Sequence, residues 1–301
     1  MGGSKALAIG LALAAGIYVL LERTGLTRKK HSYRRKRVLV AGGSSGLGLA
    51  IATELKRRGA TVTVTSRKKD ELSKLKKKHG FGVVQLDVTD PESVAKTPVG
   101  FDYVFSCAGY SKPGLAQDLK IEDMKSMMET NFYGSVLLYM QFLKSASPEK
   151  RKAFVFISST LGLHSFTGYA AYAPSKSALR SFFESVKDES ELRGLDLYIY
   201  YVSTIKSPGL ENEDRTKPSA TFSIEGSSRG SSSAPEARAI SLLSGMESSS
   251  VVTSDFTTRL FLHASDVSSA PDLISWLISP VFWKCFRLFS FYHTKRFHEK
   301  Q

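Results

Sequence analysis

The chain has 301 residues, 42% of them hydrophobic, and this length and composition are sufficient for one large α/β core. Its net charge is +14. The basic residues concentrate in residues 28–37 and 67–78. Neither run carries the repeated aromatic residues or fold signals of a nucleic-acid-binding surface, so we exclude a nucleic-acid partner. Cys107 and Cys285 form neither a disulfide framework nor a metal-binding spacing, which predicts a reducing compartment and no metal site.

The first segment, residues 5–21, is apolar and is followed by a strongly basic stretch. A helix over these residues would be about 25 Å long, just short of a hydrocarbon core of roughly 30 Å. A cleaved signal peptide, a core helix and a membrane anchor are the alternatives. The segment ends in Tyr18 and large aliphatic residues and its charge follows it, which favours an anchor over residues 1–36. Positive charge after the span predicts that the body faces the cytosol.

A glycine-rich turn follows the apolar strand predicted for residues 37–41 and opens an amphipathic helix that ends at Gly59. Its Gly-x-x-x-Gly-x-Gly spacing lets backbone amides and the positive end of the helix approach a pyrophosphate. A plain loop is the alternative, but the position between strand and helix favours a phosphate-binding turn. The predicted cofactor-binding residues are Gly42, Ser44, Ser45, Gly46, Leu47 and Gly48.

The next strands extend this cofactor site. Residues 60–66 alternate Thr and Val as a second strand, and Arg67 follows where NAD-binding proteins carry an acidic residue. An arginine there suits a 2′-phosphate, so we expect NADPH, although Arg67 could be only a solvated charge. After a third strand over residues 81–86, Asp87 can accept from the adenine amino group or cap a turn, with Val88 beside it.

A fourth strand over residues 101–106 leads to Ala108 and Gly109, whose small size allows close passage of the cofactor. A long helix over residues 121–142 then carries Asn131. Strands alternating with helices at this spacing predict a Rossmann-type, doubly wound parallel sheet of about seven strands.

The chemistry is predicted at the end of the fifth strand, residues 153–157. Ser158 and Ser159 follow this strand, at the edge where open α/β sheets bind ligands. Farther along, Tyr172 and Lys176 lie four residues apart, so on a helix they share a face. A phenol has a pKa of about 10, and a neighbouring cation lowers it, as proton transfer to a ketone oxygen requires.

With these features, the chain resembles the short-chain dehydrogenase/reductase family over residues 37–209. The resemblance implies that a tyrosine donates the proton and that a lysine lowers its pKa and holds the nicotinamide ribose. A serine binds the carbonyl, and an asparagine positions the lysine through water. These roles fall to Tyr172, Lys176, Ser159 and Asn131. Ser158 could replace Ser159, but the thirteen-residue offset to the tyrosine favours Ser159, and Tyr169 is interpreted as packing or substrate wall.

The chain departs from the family pattern in two places. Cys107 stands where an asparagine is usual, and residues 202–205 replace a Pro-Gly turn after the sixth strand, residues 197–202. The second departure affects the cofactor contact expected at Ile205.

The last third begins with the serine-rich residues 211–234, which predict a flexible lid or surface loop over the site, or an inert linker. A helix over residues 235–246 and a seventh strand over residues 251–254 complete a catalytic domain of residues 37–270. Residues 271–301 combine aromatic and basic residues with Pro280, which predicts a membrane-associated segment, as a helix in the interface or a shallow hairpin. The alternative is a core helix that forms a homo-oligomer.

Two membrane-seeking ends predict a membrane-resident long-chain keto lipid as substrate. Among members of the family, the chain is most similar to those that reduce such a lipid at the cytosolic face of the endoplasmic reticulum membrane. The alternatives are a membrane-bound reductase of a steroid, a retinoid or a 3-oxoacyl chain, and a protein that binds NADPH without catalysis.

Overall fold

The computed structural model describes residues 31–230 and 233–265, and the single helical residues Phe289 and Tyr292. Almost all of the predicted anchor over residues 1–36, and the predicted membrane-associated segment over residues 271–301, lie outside these ranges. Within the ranges that the structure describes, no helix has the length and apolar character needed to cross a membrane.

Seven parallel strands form one sheet in the order β3-β2-β1-β4-β5-β6-β7. They are β1 (Arg37–Ala41), β2 (Thr61–Ser66), β3 (Gly82–Gln85), β4 (Tyr103–Ser106), β5 (Lys152–Ser159), β6 (Leu195–Val202) and β7 (Val251–Thr253). The predicted doubly wound parallel sheet is therefore confirmed. The strand order reverses between β1 and β4, and open α/β sheets bind ligands in the crevice at such a switch point.

Helices cover both faces of the sheet because alternate residues of each strand point to opposite sides. They are α1 (Gly46–Arg57), α2 (Lys69–His79), α3 (Pro91–Ala95), α4 (Ile121–Met128), α5 (Gly134–Leu143), α6 (Ala173–Leu192), α7 (Pro208–Asp214), α8 (Ser219–Gly230), α9 (Pro235–Gly245) and α10 (Phe256–Ser265). On one face Val38 packs with Ile51 of α1 and Leu242 of α9, and on the other Leu39 packs with Leu179 of α6.

The helix predicted for residues 121–142 contains an irregular turn. A π-helical segment, Glu129–Tyr133, separates α4 from α5. Ser135 Oγ donates to the carbonyl oxygen of Asn131 at 3.1 Å and accepts from Ser106 Oγ at 2.9 Å. Such wide turns often mark functional positions, and this one holds Asn131, which is fully buried.

The prediction of a flexible loop over residues 211–234 is wrong for most of that segment. Helices α7 and α8 occupy it, and residues 231–232 lie outside the described ranges. The physical reason is Lys217, between the two helices, whose side chain is 0% exposed and pairs with Glu213 and Glu225. Unfolding either helix alone would leave a buried charge without its partner, so the pairs hold the two helices together.

The residues before β1 pack against the amino-terminal edge of the sheet. Tyr33 is 2% exposed, and the His31 ring nitrogens lie 3.1 Å and 3.0 Å from the hydroxyls of Tyr103 and Tyr198. The chain therefore enters the domain at the edge opposite the carboxyl ends of the strands.

Candidate active site

The glycine turn between β1 and α1 has the shape that a phosphate-binding turn requires. Gly42 and Gly46 have φ values of +75° and +51°, a region that favours glycine. A Cβ atom on Gly48 would lie 2.2 Å from the carbonyl oxygen of Gly42, and one on Gly42 would lie 2.7 Å from the backbone of Ala108. Glycine is therefore required for the turn to close against α1 and against the end of β4.

The turn is fixed from the neighbouring strand and leaves the start of α1 open. The Gly42 amide donates to Thr65 Oγ1 at 3.3 Å, and the Gly43 amide donates to the Thr65 carbonyl at 3.2 Å. Ser45 is the N-cap of α1, but its side chain makes no capping hydrogen bond, and Leu47 packs partly buried against the core. Free amides at a helix N-terminus attract a phosphate, so these residues fit a dinucleotide.

Polar residues lie at the end of β2, where the predicted 2′-phosphate site is. Arg67 is exposed, and its carbonyl accepts from Gln85 Nε2 at 2.9 Å. Glu71, which the sequence analysis missed, accepts from Ser66 Oγ at 2.9 Å and lies 3.2 Å from Lys68 Nζ. Burial opposes ionisation of Glu71, but hydrogen bonds from Ser66, Lys68 and Ser44 lower its pKa overall.

Asp87 was predicted either to accept from the adenine amino group or to cap a turn, and in the structure it makes the contacts of a turn cap. Its Oδ1 accepts from the Thr89 amide at 3.0 Å and from Thr89 Oγ1 at 2.7 Å. Burial opposes ionisation of Asp87, yet these hydrogen bonds and the charge on Arg67 lower its pKa overall. Val88 is 6% exposed and packs on Gly134, where a Cβ atom would lie 2.7 Å from Val88 Cγ2.

Gly109 allows the asparagine and the lysine to approach each other. A Cβ atom on Gly109 would lie 2.9 Å from Asn131 Oδ1 and 3.5 Å from Lys176 Nζ. Asn131 Oδ1 accepts from the Tyr110 amide at 2.9 Å, and its Nδ2 donates to the Tyr110 carbonyl and to Ser175 Oγ, each at 3.0 Å. Asn131 thus ties the end of β4 to the first turn of α6, which carries Lys176.

Ser159 and Tyr172 come together at the carboxyl edge of the sheet. Ser159 ends β5 and its Oγ accepts from the Leu161 amide at 3.1 Å. It lies close enough to Tyr172, the N-cap residue of α6, to lower the pKa of the phenol. Ser158 is 1% exposed, and its Oγ donates to the Lys176 carbonyl at 3.2 Å. Ser159 therefore faces the phenol, whereas Ser158 holds α6 against the sheet.

Lys176 projects on the same side as Tyr172. Its Nζ lies 5.9 Å from the centroid of the Tyr172 ring and donates to the Ile157 carbonyl at 2.9 Å. Burial lowers the pKa of Lys176 to about 8, and Cys107 acts weakly in the opposite direction. Burial likewise raises the pKa of the Cys107 thiol to about 12.

The pKa of Tyr172 differs from the expectation that a neighbouring cation lowers it. Burial raises the pKa of the phenol above its usual value, Glu213 raises it further, and only the hydrogen bond with Ser159 lowers it. The Lys176 ammonium is directed to the Ile157 carbonyl, so in this structure burial outweighs the expected effect. The phenol is therefore protonated at neutral pH, as a proton donor must be.

A buried charged group between α7 and α8 borders the site and was missed in the sequence. Tyr169, 1% exposed, donates through its hydroxyl toward Glu213 Oε1 at 2.6 Å and Glu225 Oε1 at 2.7 Å. Lys217 Nζ lies 2.9 Å from Glu213 and 2.6 Å from Glu225. Burial alone would lower the pKa of Lys217, but the two carboxylates raise it overall. Tyr169 is 44 and 56 residues from its two carboxylates, so no local pattern signals these contacts.

The segment after β6 closes the site over the glycine turn. Ile205, half-buried, pairs with Ser233 in an isolated parallel bridge. A Cβ atom on Gly46 would lie 3.3 Å from Ser207 Cβ, so Ser207 lies directly over the turn. The structure thus brings together the predicted glycine turn, Ser159, Tyr172 and Lys176 around one crevice.

The comparison with family models agrees with this geometry. The model described as short chain dehydrogenase matches residues 36–218. A short chain dehydrogenase from Burkholderia cenocepacia, solved in complex with NADP, is 19% identical with a TM-score of 0.66, covering 78% of this chain and 94% of that one. A short-chain dehydrogenase from Streptomyces avermitilis is 23% identical with a TM-score of 0.66, covering 80% and 96%. At this identity the two structures show the fold.

Curated relatives show higher identity. The chain is 34% identical over 208 residues to the PIGF/3-ketodihydrosphingosine reductase fusion protein of Schizosaccharomyces pombe, covering 64% of this chain and 42% of that protein. It is 31% identical to the 3-ketodihydrosphingosine reductase of Cryptococcus neoformans, covering 73% and 71%. It is 32% identical to the 3-dehydrosphinganine reductase of Danio rerio, covering 61% and 60%. The chain thus spans less than two thirds of the first and third of these relatives.

Proposed function

The chain belongs to the short-chain dehydrogenase family, and we propose that it reduces the 3-keto group of 3-ketodihydrosphingosine to dihydrosphingosine with NADPH. The observation that carries this proposal is the placement of Ser159, Tyr172 and Lys176 at the carboxyl edge of the sheet, beside the glycine turn. The choice of substrate is supported by the names of the curated relatives.

The proposed mechanism assigns one step to each side chain. When bound, NADPH supplies the hydride that adds to the ketone carbon. Tyr172 donates its hydroxyl proton to the ketone oxygen, and Ser159 donates a hydrogen bond to the same oxygen as its negative charge develops. The nearby ammonium of Lys176 stabilises the phenolate that remains on Tyr172.

The preference for NADPH is a proposal that rests on Arg67. This exposed arginine directly follows β2, where the 2′-phosphate of the cofactor would lie. The carboxylate of Glu71 lies in the same region, but it pairs with Lys68, so part of its negative charge is compensated. Direct comparison of NADPH with NADH in the assay below tests this preference.

The membrane location is also a proposal. The apolar residues 5–21 and the basic residues 28–37 support an anchor in the endoplasmic reticulum membrane with the catalytic domain facing the cytosol. The aromatic and basic residues 271–301 support a second membrane contact, which would bring the protein to a membrane-resident long-chain keto lipid. A homo-oligomer stays a prediction.

Removal of the Tyr172 hydroxyl group tests the reductase assignment. We expect Tyr172→Phe to abolish ketone reduction, because the variant has no proton to donate, while NADPH binding stays at the wild-type level. Oxidation of NADPH is followed by absorbance with 3-ketodihydrosphingosine in mixed micelles, and cofactor binding by fluorescence. Retention of activity by Tyr172→Phe would refute the role of the phenol.

The same assay separates the two alternative functions. Reduction of a steroid, retinoid or 3-oxoacyl ketone in preference to 3-ketodihydrosphingosine would assign another lipid substrate. Binding of NADPH by the wild type without reduction of any of these ketones would assign a non-catalytic cofactor-binding role. The serine, tyrosine and lysine brought together in the site favour catalysis, because a cofactor-binding scaffold needs no proton donor.

A further inference from the structure

Helix α7 connects the glycine turn to the region of the proposed proton donor. Its N-cap, Ser207, accepts from the Leu210 amide at 3.3 Å and lies over Gly46. Its last turn carries Glu213, which accepts from the Tyr169 hydroxyl at 2.6 Å. The Tyr169 ring lies 6.1 Å from the ring of Tyr172, centroid to centroid. Residues of α7 therefore border the crevice from the cofactor turn to the phenol.

Of the two carboxylates that contact Tyr169, Glu213 is the more exposed. The side chain of Glu213 is 18% exposed, whereas those of Glu225 and Lys217 are 8% and 0% exposed. The contacts of Glu213 with Tyr169 and Lys217 both use Oε1. The second oxygen, Oε2, takes part in neither of these two contacts.

The negative charge of Glu213 acts on Tyr172. After burial, this charge is the next largest cause that raises the pKa of the phenol. A fixed carboxylate beside a proton donor opposes loss of the proton, because it destabilises the phenolate. Lys217 already pairs with this carboxylate at 2.9 Å, and a second cation bound to it would oppose the remaining effect.

We propose that Glu213 is a specificity-determining residue that binds the ammonium group on the carbon next to the ketone of a long-chain amino ketone. This inference rests on the proposed function, since 3-ketodihydrosphingosine carries its amino group at that position. The nitrogen of this ammonium group is two bonds away from the carbonyl carbon. It therefore lies close to Tyr172 when the ketone oxygen accepts the proton of Tyr172. A charge-assisted hydrogen bond to Oε2 then orients the ketone.

The same contact links substrate identity to proton donation. Binding of the ammonium compensates the charge of Glu213, which lowers the pKa of Tyr172 and makes the phenol a stronger acid when the amino ketone is present. A neutral ketone of the same length provides no such compensation. Discrimination therefore affects kcat as well as KM.

A pair of substrates tests the proposal. We compare kcat/KM for 3-ketodihydrosphingosine with kcat/KM for the analogue in which a hydroxyl replaces the amine. We expect Glu213→Gln to lower the ratio of kcat/KM for the amino ketone to kcat/KM for the neutral analogue roughly tenfold to a hundredfold, the range for one hydrogen bond to a charged group. The matched control, Asp214→Asn, removes the neighbouring carboxylate, 3.2 Å from Lys217, and is expected to keep the wild-type ratio.

Wild-type measurements keep the proposal falsifiable if Glu213→Gln does not fold. Octadecylamine is expected to inhibit the wild type competitively at a lower concentration than octadecanol. Equal inhibition by the two, an unchanged substrate ratio in a folded Glu213→Gln, or a wild type that prefers the neutral analogue would overturn the role of Glu213 while leaving the reductase assignment intact. A wild type that reduces neither ketone would refute the proposed function itself.

Discussion

At the scale of single residues, Lys176 is the side chain whose burial has the clearest consequence. Only 6% of the residue is exposed, and burial lowers its pKa to about 8 from a usual value of 10.5. Between these two pH values the unfolded chain holds a proton that the folded protein does not. Folding therefore becomes more favourable as the pH rises through this window.

Replacement of Lys176 makes this dependence measurable. We expect the stability of the wild type, relative to Lys176→Met, to increase by about 2 kcal/mol between pH 7 and pH 9.5, because the difference in bound protons is lost with the amine. Urea unfolding of both proteins at the two pH values gives this difference. Lys125→Met, at an exposed position, is the control for loss of a lysine. A difference that is the same at both pH values would show that Lys176 is not desolvated in the folded protein.

At the scale of secondary-structure elements, the packing of α1 against the end of β1 depends on Gly48. A Cβ atom there would lie 2.2 Å from the Gly42 carbonyl oxygen, and backbone cannot move aside as a flexible side chain can. Gly114 offers a contrast, because a Cβ atom on it would have no neighbour within 4 Å.

The two glycines form a matched pair of variants. We expect Gly48→Ala to destabilise the fold by about 1–3 kcal/mol, the usual cost of overpacking, and to weaken NADPH binding because the turn opens. Gly114→Ala should leave both properties close to wild type. Thermal unfolding and fluorescence titration with NADPH measure the two effects. Wild-type cofactor affinity in Gly48→Ala would mean that closure of this turn does not form the binding site.

The same elements show what could be predicted from the sequence. The strands, the glycine turn and the pairing of Tyr172 with Lys176 depend on residues close together in the chain, so local patterns were sufficient. Helices α7 and α8 depend on the pairing of Lys217 with Glu225. They also depend on the contacts of the Glu213 and Glu225 carboxylates with Tyr169, which form only in the folded chain. The raised pKa of Tyr172 depends on burial and on Glu213, which is equally long-range. Local sequence patterns therefore predicted neither the two helices nor the raised pKa of Tyr172.

At the scale of the whole molecule, the first and last described segments of the domain pack at different places on the sheet. His31 and Tyr33 pack at the amino-terminal edge. Helix α10 starts after β7 and lies beside the site, where Thr258 Oγ1 is 2.9 Å from Thr160 Oγ1 and Phe261 stacks on His164 at 5.0 Å. Residue 160 directly follows Ser159, so the first turns of α10 lie beside the active site.

These contacts predict different roles for the two ends that we propose to contact the membrane. We expect deletion of residues 271–301 to lower kcat/KM for a long-chain ketone presented in vesicles while sparing a short-chain, water-soluble amino ketone, because only the lipid must pass from the bilayer to Ser159. Deletion of residues 1–27 should release the protein from the membrane, and in detergent micelles this variant should reduce both ketones at the wild-type rate. NADPH oxidation in vesicles and in micelles measures these effects. Equal loss of both activities on removal of residues 271–301 would show that this segment stabilises the catalytic domain and does not deliver the substrate.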